Sequence, residues 1–183
     1  MNKLSLLYVP FLLFAFSCKK DPANVTDPEI EHEEELITTL TLKLTDSTDQ
    51  TNQITATFSD PDGDGGNEPT TFDTIKLAKN KTYFTAITLL DETSVPSIDI
   101  TEEVEEEGHE HLFCFTQSDE LSISLTDSDG THPIGLTSTW KTSSVSLSDG
   151  FVKVSLKHQP DLKDGTCAPG ETDIELEFIL TID

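Results

Sequence analysis

Arginine is absent from this 183-residue chain, and its eleven basic residues are all lysines, set against 35 acidic residues. The formal net charge is −24. Nucleic-acid-binding proteins contact phosphates through clustered cationic side chains, so this balance predicts no nucleic-acid partner. Alanine is also scarce, with six residues against 26 threonines. Because alanine is the best helix former and threonine suits a pleated surface, the composition favours strands.

The chain also has little apolar sequence long enough for a membrane span. Residues 4–16 would rise about 20 Å as a helix, short of the roughly 30 Å hydrocarbon core of a bilayer. A lysine precedes this stretch and Ala15-Phe16-Ser17-Cys18 ends it, which predicts a signal peptide over residues 1–17. The ending resembles the relaxed lipoprotein signal of Bacteroidota, which implies that Cys18 is lipidated. An ordinary signal peptide with an incidental cysteine is the alternative.

Residues 18–34 contain two prolines, several acids and few large apolar side chains. This composition predicts a lipidated, flexible, acidic tether that joins the outer membrane to a domain spanning residues 35–183. We therefore expect an outer-membrane lipoprotein, on either the cell surface or the periplasmic face.

Apolar and polar residues alternate with a period of two in five segments, which begin at Leu40, Ile54, Leu121, Val152 and Ile174. Such alternation places one face of each strand in a core and the other in water. Shorter candidate strands elsewhere in the chain raise the expected number of strands to eight or nine. The pattern predicts an all-β fold, a single immunoglobulin-like β-sandwich, with no helix longer than two or three turns.

Two cysteines remain once Cys18 is assigned to the anchor. Outside the cytoplasm, Cys114 and Cys167 are expected to form a disulfide. Closing a loop of about 54 residues would contribute on the order of 4 kcal/mol through chain entropy. Cys114 has the opposite strand parity to Phe113 and Phe115, so it should lie on the outer face. Two free buried thiols are the alternative.

Between Lys81 and Lys141 the chain has thirteen acidic residues and no basic one. Within this window, parity places His109 and His111 on the strand face of Phe113, and His158 extends the apolar row of the strand that contains Val152. Neutral imidazole with carboxylate suits Zn²⁺ or Cu²⁺. The predicted ligands of this transition-metal site are His109, His111, His158, Glu107 and Glu110. Exposed or hydrogen-bonded histidines without a metal are the alternative.

The segment from Asp60 to Gly65 has the D-x-D-x-D-G pattern, which places hard oxygen ligands for Ca²⁺ around a sharp turn. The twelfth position of an EF-hand loop would be Thr71 rather than glutamate, and Glu68 would substitute for it in part. The candidate calcium ligands are Asp60, Asp62, Asp64 and Glu68. An acidic turn whose aspartates serve the backbone is the alternative.

Several sequence strings, in this order, resemble a family of small Bacteroidota outer-membrane lipoproteins. The resemblance covers residues 34–183, and its strings include His111 and His158 but not His109. It implies a lipoprotein that accompanies an outer-membrane receptor importing a scarce nutrient. Names given to members, "GTP cyclohydrolase" and "type 1 periplasmic binding fold", imply sites that this sequence does not support. The strings begin at Glu34, Asp60, Asp99, Glu110, Pro133, Lys157 and Gly170.

These patterns together predict a membrane-anchored protein that binds zinc or copper and assists an outer-membrane importer. The alternative is a non-metal interaction module for a receptor partner, glycan or peptide, with a calcium-stabilised loop. The sequence has no G-x-S-x-G, H-E-x-x-H or Gly-rich phosphate loop, so we expect no enzyme. A carboxylate-based hydrolase is the exception that these motifs leave open.

Overall fold

The structure, a computed structural model, describes residues 35–63 and 65–183. The predicted signal peptide, the tether, Cys18 and Asp64 of the calcium loop lie outside the described residues. Over the described part, eleven strands and one helix form an all-β sandwich of two sheets, which confirms the predicted fold class. In chain order the elements are β1 (Thr39–Asp46), β2 (Asp49–Ser59), β3 (Thr71–Phe72), β4 (Ile75–Leu77), β5 (Thr82–Asp91), β6 (Ile98–Asp99), α1 (Ile100–Glu106), β7 (His111–Gln117), β8 (Leu121–Leu125), β9 (Thr137–Thr142), β10 (Leu147–His158) and β11 (Glu171–Ile182).

The larger sheet has the order β3-β2-β1-β5-β9-β8, with β6 paired to β5. The smaller sheet has the order β4-β11-β10-β7. In the smaller sheet β10 pairs antiparallel with both β7 and β11, whereas β4 runs parallel to β11. The strand count exceeds the expected eight or nine because β3, β4 and β6 are only two or three residues long. Such short strands carry no readable alternation.

The core lies between the sheets and is filled by the residues that alternation placed inward. Leu40, Leu42 and Leu44 of β1 are fully buried, and Phe178 and Leu180 of β11 are fully buried as well. Burial of each such side chain stabilises the fold by about 1.5–3 kcal/mol. The alternating pattern of the sequence therefore gives the main source of stability of the sandwich.

Helix α1 follows β6 and leads to the start of β7. The Asp99 carboxylate caps it by accepting a hydrogen bond from the backbone N–H of Thr101, as is usual at helix N-termini. Ile100 and Val104 are buried on its inner face. Over residues 35–63 and 65–183, no helix is both long enough and apolar enough to span a bilayer.

Cys114 of β7 and Cys167 form a disulfide, with their Cα atoms 6.1 Å apart. Phe113 belongs to the core cluster and Phe115 packs against it, so Cys114 lies on the opposite, outer face of β7. The loop of residues 159–170, which joins β10 to β11, carries Cys167. The disulfide therefore ties this loop to the outer face of β7.

Candidate metal centre

Two histidines meet at one end of the smaller sheet, where β7 begins and β10 ends. His111 is the first residue of β7, His158 is the last of β10, and the antiparallel register places them directly opposite each other. Their rings are stacked, with centroids 4.9 Å apart and planes 10° apart. His111 is fully buried and His158 is 4% exposed. The apolar rows of both strands thus end in an imidazole at the same rim of the core.

Glu35 completes a cluster with these histidines. Its Oε1 lies 2.7 Å from Nε2 of His111, and its side chain is 4% exposed. One ligand atom from each of Glu35, His111 and His158 lies within 4.8 Å of the other two. In a tetrahedral zinc site the ligand atoms are about 3.4 Å apart, so around an ion the widest of these separations would close by about 1 Å and the Glu35/His111 pair would open slightly. The cluster has the composition of a zinc or copper site.

The backbone fixes the orientation of the His111 ring. Nδ1 of His111 lies 3.2 Å from the carbonyl oxygen of Glu107, which only accepts, so Nδ1 is the donor. Nε2 then faces Glu35. Histidines that bind metals through one ring nitrogen usually donate the other N–H to a carbonyl or carboxylate in this way.

Glu35 and His111 each stabilise the charged form of the other. Burial lowers the pKa of His111, but the hydrogen bond and negative charge of Glu35 outweigh burial, so its pKa is raised. Burial raises the pKa of Glu35, and the hydrogen bond and charge of His111 outweigh it, so the pKa of Glu35 is lowered. Without a metal ion the two side chains form a buried ion pair, and a metal ion would have to replace the proton on His111.

The loop of residues 159–170 holds His158 in place. Gly170 has a φ of +79°, and a Cβ added there would lie 2.1 Å from the carbonyl oxygen of His158, so only glycine fits. The backbone N–H of Gln159 donates to the carbonyl of Glu110, and its side-chain amide donates to the carbonyls of Thr166 and Pro169. Together with the disulfide, these bonds fix the end of β10.

His109 does not join the cluster. The expectation that it shares the strand face of His111 is wrong, because residues 107–110 form a turn and β7 begins only at His111. The His109 side chain is 70% exposed, and its Nε2 lies 3.2 Å from Oε1 of Glu110. A residue in a turn does not follow strand parity.

The two predicted glutamates occupy different positions around the cluster. Glu107 supplies its backbone carbonyl to His111 rather than its carboxylate. Oε2 of Glu110 lies 3.6 Å from Nε2 of His158, at the edge of the cluster. The carboxylate that the structure brings to His111 is instead that of Glu35.

Sequence reasoning missed Glu35. This residue precedes β1 in an extended segment, residues 35–38, that has no alternating pattern. Thr38 anchors the segment, because its backbone N–H donates to the carbonyl of Leu90 and its own carbonyl accepts from Asp60. The sequence pointed to Glu35 as a ligand only in that an acidic residue stands at the predicted start of the domain.

The predicted calcium loop is organised by its own backbone. Oδ2 of Asp62 accepts hydrogen bonds from the backbone N–H and the side-chain amide of Asn67, at 2.9 and 2.7 Å. These bonds, the backbone one first, lower the pKa of Asp62. Within residues 35–63 and 65–183, Asp60, Asp62 and Glu68 form no three-ligand cluster; Glu35, His111 and His158 form the one found there.

Two imidazoles and a carboxylate, buried and held by neighbouring backbone groups, are chemically suited to bind a divalent transition-metal ion. The chain matches no protein-family model, no curated protein and no solved structure, so this cluster is the basis on which a function can be assigned.

Proposed function

We propose that this protein binds a divalent transition-metal ion, zinc or copper, through Glu35, His111 and His158. The observation that supports the proposal is the convergence of three buried polar side chains from separate parts of the chain. Burying such groups costs free energy unless they are compensated, and a cation bound between them supplies that compensation.

The donor atoms favour zinc or Cu²⁺ over other common ions. Two imidazole nitrogens disfavour calcium and magnesium, which prefer oxygen ligands. Soft thiolates that would favour Cu⁺ are not available from Cys114 and Cys167, because these residues are joined in a disulfide. Zinc is therefore the first ion to test.

We further propose that the protein works at the outer membrane, where Cys18 carries the lipid and residues 18–34 form the tether. The sequence pattern before Cys18 and the resemblance to small Bacteroidota lipoproteins support this location. In that setting the metal centre would hold a scarce ion for an outer-membrane importer. We propose no catalytic activity for the protein.

Zinc binding by the full protein, purified without an affinity tag in detergent and stripped with chelator, tests the metal centre. Competition with a chromophoric chelator should show about one zinc ion per chain. The double variant His111→Ala/His158→Ala should lose this binding, and the exposed control His109→Ala should retain it. Absence of zinc binding in the wild type, or its persistence in the double variant, would refute the proposal.

The anchor has its own test. Cys18→Ser should move the protein from the membrane fraction to the soluble fraction and remove incorporated palmitate, while zinc affinity stays unchanged. A Cys18→Ser protein that remained lipidated in the membrane fraction would contradict the anchor.

A non-metal interaction module is the second candidate, favoured by the outer face of α1. Glu102, Glu103, Glu105 and Glu106 are not buried there, and the last turn of the helix has no basic residue. Such a face would attract a positively charged partner. This function is supported if the protein captures a basic envelope protein in the presence of chelator and loses it when these glutamates are replaced by glutamines. Capture that is lost with chelator would count against it.

A further inference from the structure

Strand β11 contains an irregularity beside the metal centre. Ile174 pairs with Leu156, but the next residue of β10, Lys157, pairs with Thr172. Asp173 is therefore the extra residue of a β-bulge. Bulges bend a strand and re-aim a side chain, and they are frequent next to functional sites.

The bulge changes the direction of the Asp173 side chain. Farther along β11 the odd-numbered residues Glu175 and Glu177 are exposed, so regular alternation would send Asp173 into solvent. Instead both of its carboxylate oxygens are buried. Its carboxyl group lies close enough to Glu35 to contribute to the lowered pKa of that residue, and close enough to His111 to contribute to its raised pKa.

The resulting group of charges is negative. Three carboxyl groups, of Glu35, Asp173 and Glu110, surround the two imidazoles. Two adjacent buried carboxylates repel each other unless a cation lies between them. Oε2 of Glu35 is also buried and, among the described residues, receives no hydrogen bond from an N–H or hydroxyl group. A divalent cation bound between Glu35 and Asp173 would neutralise both carboxylates.

Asp173 also connects the buried centre with a cleft on the surface. It lines a cavity of about 580 Å³ whose other acidic side chains, among the residues that the structure describes, are Asp60, Glu68 and Glu175. Part of the lining, including Glu68, is exposed to solvent. A cleft lined by negative charge raises the local concentration of cations, and a buried metal site needs such an access route.

We propose that Asp173 is a fourth protein ligand of the metal centre, placed there by the bulge in β11. This inference rests on the proposed metal-binding function and deepens it. Two imidazoles and two carboxylates fill a tetrahedral shell and leave no position for a substrate. The centre would then hold an ion rather than use it in catalysis.

Asp173→Asn tests the assignment, because it keeps the size of the side chain and removes its charge. Its zinc dissociation constant should rise by at least about 10-fold, the lower end of the range for losing a residue that only supports a ligand. Glu177→Gln is the matched control, since it removes a carboxylate from the exposed face of the same strand. Its zinc affinity should stay within about twofold of the wild type.

A second variant gives a positive signal and serves if Asp173→Asn fails to fold. Cobalt bound to Asp173→Cys should gain the intense charge-transfer absorption of a thiolate–cobalt bond, whereas Glu177→Cys with cobalt should not. Unchanged zinc affinity in Asp173→Asn, or no charge-transfer band in Asp173→Cys, would overturn the assignment of Asp173 while the His111/His158 centre stands. A wild type that binds no zinc would overturn both.

Discussion

Zinc should change the pH dependence of the stability of this protein. The pKa of His111 is raised above its usual 6.5, so its contribution to stability is complete below pH 6.5 and is lost as pH rises through the raised value. The pKa of Glu35 is lowered below its usual 4.5, so its contribution is present above pH 4.5 and is lost as pH falls. In the metal-free protein the pair therefore stabilises most between pH 4.5 and 6.5 and less at higher pH.

The zinc-bound protein should instead gain stability from pH 5.5 to 6.5 and keep it at higher pH. Zinc has to displace the proton from His111, so its affinity should rise by about tenfold per pH unit below the pKa of that ring. At constant free zinc this adds about 1.4 kcal/mol of stability per pH unit. For a protein of this size the melting temperature should rise by about 3–6 °C between pH 5.5 and 6.5. Above pH 6.5 it should level off, because the gain from zinc then offsets the loss of stability in the metal-free protein.

Thermal unfolding followed by the fluorescence of the buried Trp140 measures both trends. Scans from pH 5.5 to 7.5 are run with free zinc clamped by a metal buffer, and in parallel with chelator. His111→Asn should abolish the zinc-dependent slope, whereas the exposed His109→Ala should behave as the wild type. Equal slopes with zinc and with chelator would refute the reasoning.

Three further predictions concern the structure around the centre. Lys163→Met should lower the free energy of unfolding in urea by about 1–2 kcal/mol at pH 7, since it leaves the half-buried Asp129 carboxylate with its backbone hydrogen bonds but without its ion pair. Because hydrogen bonds and Lys163 hold the pKa of Asp129 below its usual 3.8 despite burial, this loss should shrink as pH falls below that value, and a constant loss would contradict the assignment. Cys114→Ser should cost about 4 kcal/mol in urea, and a cost below about 1 kcal/mol would show that the loop is ordered without the disulfide. Gly170→Ala should weaken both zinc binding and stability, because its Cβ would lie 2.1 Å from the carbonyl oxygen of His158. Gly130→Ala is the control: Gly130 also has a positive φ but open space around it, so this variant should cost only about 1 kcal/mol and leave zinc affinity unchanged. Equal zinc affinities in both variants would contradict the role of Gly170.

The sandwich could be predicted from local patterns because strand alternation is a property of neighbouring residues. Leu40, Leu42 and Leu44 lie inward, as their period of two predicts. The three shortest strands could not be predicted in this way. Two or three residues, such as Thr71–Phe72, adopt a strand only because a neighbouring strand is there to pair with them.

The same distinction applies to the metal centre. Parity placed His111 and His158 on inward faces, and this part of the centre follows from the sequence. Three features depended on the tertiary structure: the turn that excludes His109, the extended segment that brings in Glu35, and the bulge that turns Asp173 inward. The segment and the bulge result from hydrogen bonds between distant parts of the chain. The turn is closed by a local bond from the N–H of Glu110 to the carbonyl of Glu107, and it ends where β7 begins to pair with β10. The sequence by itself determines which face of a strand a residue occupies, whereas strand ends, register and bulges are decided by the partners that the strand meets in the folded protein.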